Sequence, residues 1–215
     1  MTDNEDSENI TDTEFAKKAS AHIEPILKYL DTEDIIIDNE KIIELFVKLW
    51  EYEDGEHLDA ATQKLTILGL FIYTTHNVLE DYNIRMDRAR QHITHALHEW
   101  MKPKMNKAIA EEKVSDNPFK AFVDSNQKNI DDVFSWEHFM PDVKKATEVE
   151  LNLKLKKCWF AEFFIRFGRV DYIPTACEFD KIPWDARKDY VDLKLTNLFA
   201  KLGTMCQFKY TPTKD

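Results

Sequence analysis

The sequence predicts an α+β fold: a helical N-terminal half followed by a small β-α-α-β-β region with an antiparallel sheet. Two periodicities lead to this prediction. From residue 13 to about residue 113, apolar side chains recur every three or four positions, which is typical of amphipathic helices. In VELNLKLKK, VDLKL and MCQFKY they recur at every second position, which is typical of strands that bury one face.

Four helices are expected in the N-terminal half. TEFAKKASAHIEPILKYL carries one apolar stripe, and Pro25 is a point where this helix can kink. NEKIIELFVKLW predicts a second helix, capped by Asp38 or Asn39. AATQKLTILGLFIYTTHNVLEDY is apolar over much of its surface and predicts a central helix. A fourth helix is expected from about residue 84 to residue 100, ending near Pro103.

Strands and helices alternate in the C-terminal third. After the first strand a helix is expected from Trp159 to Phe167, with Gly168 as its C-cap, and a second helix begins near Pro174. Gly203 lies between the last two strands, where it can supply the positive φ of a hairpin turn. The last strand is expected to bury one face and expose the other: Cys206, Phe208 and Tyr210 inward, Gln207 and Lys209 outward.

These changes of pattern divide the chain into segments. Between residues 114 and 148 the helical period is interrupted by Pro118, Pro141 and several Asn and Asp residues, which predicts a connector with short helices. The first twelve residues are acidic and polar, which is typical of a disordered segment. The predicted segments are a lead-in over 1–12, a helical region over 13–113, the connector over 114–148 and an α+β region over 149–215.

Charge and cysteine content restrict the class of partner. The 215 residues carry a formal net charge of -11, with a pI of about 5.1, so phosphate backbones and anionic membranes repel the chain. We therefore expect neither nucleic acid nor membrane as a partner. A cationic or zwitterionic small molecule, as substrate or ligand, or a protein partner fits better, and we leave a homo-oligomer open. The chain has three cysteines, which favours reduced thiols over a disulfide framework. No apolar run is long enough to span a membrane, and the start of the sequence is acidic, so we expect a cytoplasmic protein.

Several common sites are excluded by composition and spacing. Only four glycines occur, so neither nucleotide-binding fingerprint can be present, and no Gly-x-Ser-x-Gly or His-Glu-x-x-His motif exists. In QHITHALH, His92 and His95 are neighbours on a helix, but a solvated polar face is the favoured interpretation. A zinc site of Cys158, Cys177, Cys206 and Asp180 would match no standard spacing. We expect no cofactor and no metal.

The cysteine segment CWFAEFFIRFGRVDYIPTACEFD is the main candidate site. Cys158 lies where a strand passes into a helix, and Cys177 follows shortly after Pro174. A thiol at a helix N-terminus has its pKa lowered by the helix dipole, which favours the nucleophilic thiolate. Glu178 and Asp180 provide carboxylates for proton transfer, although they oppose thiolate formation. Cysteines that are simply buried as small apolar side chains are the other interpretation.

The segments KKCWFAEFFIRFGRVDYIPTACEFD and LTNLFAKLGTMCQF resemble the C-terminal signature of the L-2-amino-thiazoline-4-carboxylate hydrolase family, over roughly residues 149 to 210. The matching positions are Cys158, Gly168, Cys177, Asp180, Thr196, Ala200, Cys206 and Phe208. The resemblance implies a hydrolase that opens a small cyclic amidine by adding water. Cys158 or Cys177 would be the nucleophile and Asp180 the proton shuttle. The residues assigned to substrate binding are Glu162, Arg166, Thr196 and Cys206.

Two positions depart from that family pattern. Leu195 stands where members tend to carry Arg, and Gln207 stands where they tend to carry an acidic residue. If that Arg holds a substrate carboxylate, then Arg166, Arg169 or Arg187 would have to replace it here. Two alternatives are therefore kept. One is a non-catalytic small-molecule-binding or sensor module, because this end of the chain also resembles vinyl-reductase-type domains; the other is a helical scaffold protein.

Overall fold

The computed structural model describes residues 13–30, 37–201 and 203–214. The chain divides into two compact units, Met1–Trp100 and Met101–Asp215. The first is helical and the second carries a four-stranded antiparallel sheet, so the predicted α+β class is confirmed. The acidic lead-in predicted for residues 1–12 lies outside the described residues.

The N-terminal unit is built on five helices: α1 (Glu14–Ser20), α2 (Glu24–Leu27), α3 (Asn39–Tyr52), α4 (Ala60–Asp81) and the first part of α5 (Met86–Lys113). Both α1 and α4 pack against α3. Asp38, not Asn39, caps α3, because its carboxylate accepts a hydrogen bond from the Glu40 amide. The stripe predicted as one kinked helix is two short helices, with Pro25 in the first turn of the second.

Trp50 of α3 is the largest fully buried side chain of this unit. Its indole lies 5.8 Å from the Phe46 ring, and its Nε1 donates to the Glu56 carboxylate at 3.1 Å. Gly55 is close behind it, because a β-carbon there would lie 2.2 Å from the indole ring. The predicted central helix, α4, buries ten of its residues, including Leu70 and Phe71.

The predicted end of the fourth helix is wrong. Pro103 lies inside α5, which continues to Lys113. A proline removes one intrahelical hydrogen bond and disturbs one turn, and a helix survives this loss when tertiary contacts hold the turns that follow. Here Glu112, in the last turn, is buried and paired with Arg187.

Among the described helices, none combines the length and the apolar composition needed to cross a membrane.

In the C-terminal unit, three helices precede the sheet: α6 (Pro118–Lys128), α7 (Ile130–Val133) and α8 (Trp136–Phe139). The sheet has four strands: β1 (Pro141–Thr147), β2 (Glu150–Leu155), β3 (Asp192–Thr196) and β4 (Cys206–Thr211). They lie in the order β1-β2-β4-β3 and all neighbours are antiparallel. The three strands predicted from alternation are thereby confirmed.

The strand β1 is not predicted by the sequence pattern. The stretch interpreted as a connector with short helices contains them, but it also contains this strand. β1 is an edge strand that is mostly exposed, and its register shifts at a bulge between Val143 and Lys145. Because neither face is fully buried and the bulge interrupts the two-residue period, no hydrophobic alternation marks it.

Two helices follow β2 along the chain: α9 (Trp159–Arg166) and α10 (Ile173–Phe179). Gly168 lies just after α9 in the left-handed region, with φ of 69°. The Arg169 amide donates to the Phe164 carbonyl and the Gly168 amide to the Ile165 carbonyl, which together form a Schellman motif. The predicted C-cap is therefore confirmed.

The inner face of the sheet forms the core of this unit. Cys206, Phe208 and Tyr210 of β4 are buried and pair with Leu155, Leu153 and Leu151 of β2. Gln207 is half-buried and Lys209 is exposed on the opposite face, so the predicted orientation of β4 is confirmed. Trp184, in the short helix α11 (Ile182–Asp185), covers this face, with its ring 4.9 Å from that of Tyr210.

Gly203 does not act as the predicted hairpin glycine, because its φ is not positive and the β3–β4 connection is long. Asn197 adopts the left-handed conformation at the start of this connection, with φ of 53°. A β-carbon on Gly203 would lie 2.5 Å from the Asn197 carbonyl. The glycine is therefore required by the close approach of two backbone segments.

The end of α5 is joined to the segment after α11 by a buried ion pair. Arg187 donates to both oxygens of Glu112, at 2.8 and 2.7 Å, and the Tyr190 hydroxyl donates to the same carboxylate. Arg187 and Glu112 are both buried. A second pair, between Lys113 and Asp189, joins the same two segments but is about half exposed.

These two pairs give a matched test. Glu112→Gln keeps the shape of the side chain but leaves the Arg187 charge buried without a counter-charge, so we expect the free energy of unfolding to fall by about 3–5 kcal/mol. Asp189→Asn removes the solvent-exposed partner and should cost at most about 1 kcal/mol. Urea denaturation of both variants measures the difference. Equal losses would show that the buried pair does not hold these segments together.

Candidate active site

Three thiols and one carboxyl group of the C-terminal unit are coupled through their charges. Asp180 raises the pKa of the Cys158, Cys177 and Cys206 thiols. Cys158 is further coupled to both of the other cysteines. The residues predicted as nucleophile and proton shuttle thus act on one another electrostatically, and their roles stay predictions. We refer to these four groups as the thiol–Asp180 cluster.

Local structure accounts for each position in the cluster. Cys158 is the N-cap of α9, three residues after Leu155 at the buried end of β2. Cys177 and the C-cap Asp180 are three residues apart on α10, which puts them on the same side of that helix. Cys206 is the first residue of β4 and faces inward opposite Leu155. The sheet therefore supplies one side of the cluster and two helix ends supply the other.

The thiols are protonated at neutral pH, contrary to the thiolate expected from the sequence. Burial raises the pKa of Cys177 to about 12 and that of Cys206 to about 11, and it raises the pKa of Cys158 further. The Asp180 charge adds to each rise. The Ala161 amide at the start of α9 lowers the pKa of Cys158 but does not offset its burial. Cys177 lies in the second half of α10, so the helix N-terminus does not act on it as expected.

Asp180 is the group of the cluster that titrates near neutrality. Although the residue keeps some exposed surface, desolvation of its carboxyl raises the pKa to about 7. The nearby Tyr210 hydroxyl has its pKa raised by burial and then by the Asp180 charge. A carboxyl group that is about half ionised at pH 7 can both accept and donate a proton, which is the requirement for general acid–base catalysis.

The structure does not bring the other predicted substrate-binding residues to the cluster, apart from Cys206. Glu162 and Arg166 lie on the exposed face of α9, where Glu162 contacts Lys157 and the Arg166 guanidinium lies over the Phe163 ring. Thr196 pairs with Gln207, so it lies on the outer face of the sheet. The helical and strand periods place these three side chains away from the buried face.

Arg169 and Arg187 are the other two arginines predicted as possible partners of a substrate carboxylate. Arg169 pairs with Asp171 at 3.0 Å and lies 3.7 Å from the centre of the Tyr172 ring. Arg187 is bound to Glu112 inside the protein. Both guanidinium groups are therefore already engaged by carboxylates of the chain.

A groove lies between α11 and the edge strand β3, and Lys181, the residue after Asp180, is part of its wall. Its volume is about 300 Å³. It is lined by Lys181, Trp184, Asp185, Lys188, Val191, Asp192, Leu193 and Leu195. Sequence patterns do not reveal this groove, because its walls come from a four-residue helix and an edge strand, neither of which carries a motif.

No metal set is apparent in the part of the chain that the structure describes, where no three His, Cys, Asp or Glu side chains are arranged to hold a metal ion. The cluster itself has three thiols and a carboxyl, but they are not arranged as a ligand set. On α5, His92 and His98 are half-buried and His95 is exposed.

Removal of the Asp180 charge gives a direct test of the cluster. In Asp180→Asn we expect the thiols to be alkylated faster by iodoacetamide at about pH 8.5, because the charge that raises their pKa is gone. Glu162→Gln, an exposed carboxylate on α9, is the control and should leave the rates unchanged. Rates are measured by mass spectrometry of the native protein. A slower reaction in Asp180→Asn would contradict the proposed coupling.

Comparison with known proteins finds two weakly similar solved structures and one matching family model. No curated protein aligns significantly with the chain. Two crystal structures of an Fe(II) unliganded H-NOX protein from K. algicida, one of them a point mutant, have TM-scores of 0.38 and 0.42. Identity is 6% and 8%; the alignments cover 89% and 92% of this chain and 96% and 97% of the H-NOX chains. Similarity at this level supports no conclusion about fold or function.

The family model described as L-2-amino-thiazoline-4-carboxylic acid hydrolase matches residues 70–210, well over half of the chain. The match includes the whole thiol–Asp180 cluster and the groove between α11 and β3, and it begins within α4, well before the segment in which the sequence resemblance was found. The chain belongs to the L-2-amino-thiazoline-4-carboxylic acid hydrolase family.

Proposed function

We propose that this protein is a hydrolase that opens a small cyclic amidine, of the aminothiazoline-carboxylate type, by adding one water molecule. Family membership supports the class of substrate. The observation that carries the proposed chemistry is the Asp180 carboxyl, whose pKa is raised to about 7 beside three thiols. A nucleophile and an acid–base group within reach of one substrate atom are the two parts such a reaction requires.

Cys177 is the proposed nucleophile. Of the two cysteines predicted as nucleophile, Cys177 has the smaller rise in pKa, and the Lys181 charge acts to lower it. Lys181 also lines the groove. At neutral pH the thiol is protonated, so attack and deprotonation are coupled: the ionised Asp180 accepts the thiol proton as the sulfur attacks the substrate.

The proposed steps conserve atoms and charge. The Cys177 sulfur bonds to the amidine carbon, and the thiol proton passes through Asp180 to the ring heteroatom whose bond to that carbon breaks. Water then bonds to the same carbon. One water proton goes to the amidine nitrogen, and the other returns through Asp180 to the Cys177 sulfur as the carbon–sulfur bond breaks. The net change is one water added to the substrate.

A second candidate function is a non-catalytic small-molecule-binding module. The observation that favours it is the protonated state of all three thiols at neutral pH, which fits cysteines that only pack. A binding module has no chemical step to lose, so the same substitutions would change affinity alone.

Substitution of two cysteines of the cluster tests the proposed nucleophile. Cys177→Ser should abolish turnover of aminothiazoline carboxylate while ligand affinity and folding remain nearly intact, because a hydroxyl in the same buried position is a far weaker nucleophile. Cys206→Ser, at a predicted substrate-binding position at the buried start of β4, is the comparison: it should raise KM at most, and kcat should be retained. Product is detected by mass spectrometry as a gain of one water.

Two outcomes would contradict this assignment. Loss of activity in Cys158→Ser but not in Cys177→Ser would transfer the role to Cys158. Absence of turnover by the wild-type protein, with saturable binding of the same compounds, would favour the binding module.

A further inference from the structure

The α11–β3 groove has the size of a site for a small metabolite. Its volume of about 300 Å³ lies at the lower end of the range for ligand pockets. One wall is α11 with the residues around it, and the other is β3, an edge strand with no neighbour on its far side among the described residues. The groove therefore opens toward solvent along the edge of the sheet while its floor continues into the buried face.

One lysine of the groove is open to an anionic group. Lys181 is half-buried, and its charge is already held by Glu178 at 2.7 Å. Lys188 is exposed, and its ammonium pairs with no carboxylate within the described ranges. Such a cation at the wall of a recess can pair with a ligand carboxylate at little desolvation cost. Asp185 and Asp192 line the same groove, so it takes at most one negative charge, at Lys188, and disfavours ligands with several, such as phosphates.

The remaining wall is apolar. Trp184 is buried and contacts the Tyr210 ring, which is coupled electrostatically to Asp180. Leu193 and Leu195 pair with Tyr210 and Phe208, so they lie on the inner face of the sheet, but at its edge they are only half-buried. An apolar part of a ligand can cover the exposed surface of these two leucines. The binding free energy gained is proportional to the apolar area removed from water.

We propose that the α11–β3 groove is the substrate-binding site, and that it takes an amphipathic monocarboxylate: the carboxylate pairs with Lys188, and an aromatic or branched apolar body lies against Trp184, Leu193 and Leu195. This inference rests on the proposed hydrolase function. Lys181 directly follows Asp180 in the chain and acts electrostatically on Cys177. The proposed reacting groups do not line the groove themselves, so we infer that the amidine end of the ligand reaches past Lys181 toward them.

Equilibrium binding of ligands that cannot be hydrolysed tests the groove. The probes are 2-phenylthiazole-4-carboxylate, its carboxamide and 2-methylthiazole-4-carboxylate, each titrated calorimetrically into the full-length protein. We expect the phenyl acid to bind about tenfold more tightly than its carboxamide, because the ion pair is lost. We expect it also to bind more tightly than the methyl acid, because the smaller substituent covers less of Leu193 and Leu195.

Variants assign the preference to the groove. Lys188→Met should weaken binding of the phenyl acid about three- to tenfold and leave the carboxamide unchanged. The matched control is Lys194→Met, on the outer face of the same sheet edge, which should change neither. Leu195→Ala should reduce the advantage of the phenyl over the methyl acid. Circular dichroism of each variant checks that the fold is intact.

Equal affinities for acid and carboxamide, or equal effects of Lys188→Met and Lys194→Met, would overturn the assignment. The result separates from that for the hydrolase function. Suppose the wild-type protein does not open aminothiazoline carboxylate but still prefers the acid and depends on Lys188 for this preference. The hydrolase function is then rejected, and the groove remains a binding site. Turnover without that preference removes the groove as the site and keeps the hydrolase.

Discussion

The desolvation of one carboxyl group, that of Asp180, is the constraint on which the candidate site depends. Burial alone raises its pKa to about 7, and its charge in turn raises the pKa of all three cysteines. Phe208 and Tyr210 of β4 meet Trp184 on the inner face of the sheet, and the buried Tyr210 is coupled to the Asp180 charge. Burial within this unit thus sets the protonation states of the site.

Among the described residues, no cation is paired with Asp180, whose pKa is raised by desolvation. Arg187 is a buried guanidinium group that acts on Tyr210, and it is bound by both oxygens of Glu112. Lys181 contacts Glu178 and acts electrostatically on Cys177. Both positive charges are thus held by other carboxylates, and the raised pKa of Asp180 suits proton transfer and not a permanent ion pair.

Much of the fold followed from periodicity. Strict alternation in β2, β3 and β4 predicted the strands and the inward orientation of Cys206, and Gly168 marked the end of α9. β1 and the continuation of α5 past Pro103 could not be predicted, because tertiary contacts decide them: an edge strand needs no apolar face, and the last turn of α5 is held by Glu112.

For the candidate site, the sequence indicates which residues to consider but not their protonation states. Cys158, Cys177 and Asp180 were predicted from their positions near helix starts and from the family resemblance, and Cys206 from the resemblance; their charges are coupled in the structure, and their roles stay predictions. Their ionisation was predicted in the wrong direction, because a sequence shows that a cysteine begins a helix but not how deeply the thiol is buried. The groove was missed for a related reason, since Lys188 and Leu195 line one recess only when β3 reaches the edge of the sheet.

The titration of Asp180 tests this account most directly. Burial raises its pKa in the folded protein from 3.8, so its contribution to stability is complete below that value and is lost as the pH rises through about 7. Carbonyl NMR of protein labelled at aspartate, assigned with Asp180→Asn, reports the ionisation of this side chain. We expect a midpoint near pH 7. A midpoint near 3.8, the ordinary value for an exposed aspartate, would contradict the proposed role of Asp180 as the acid–base group.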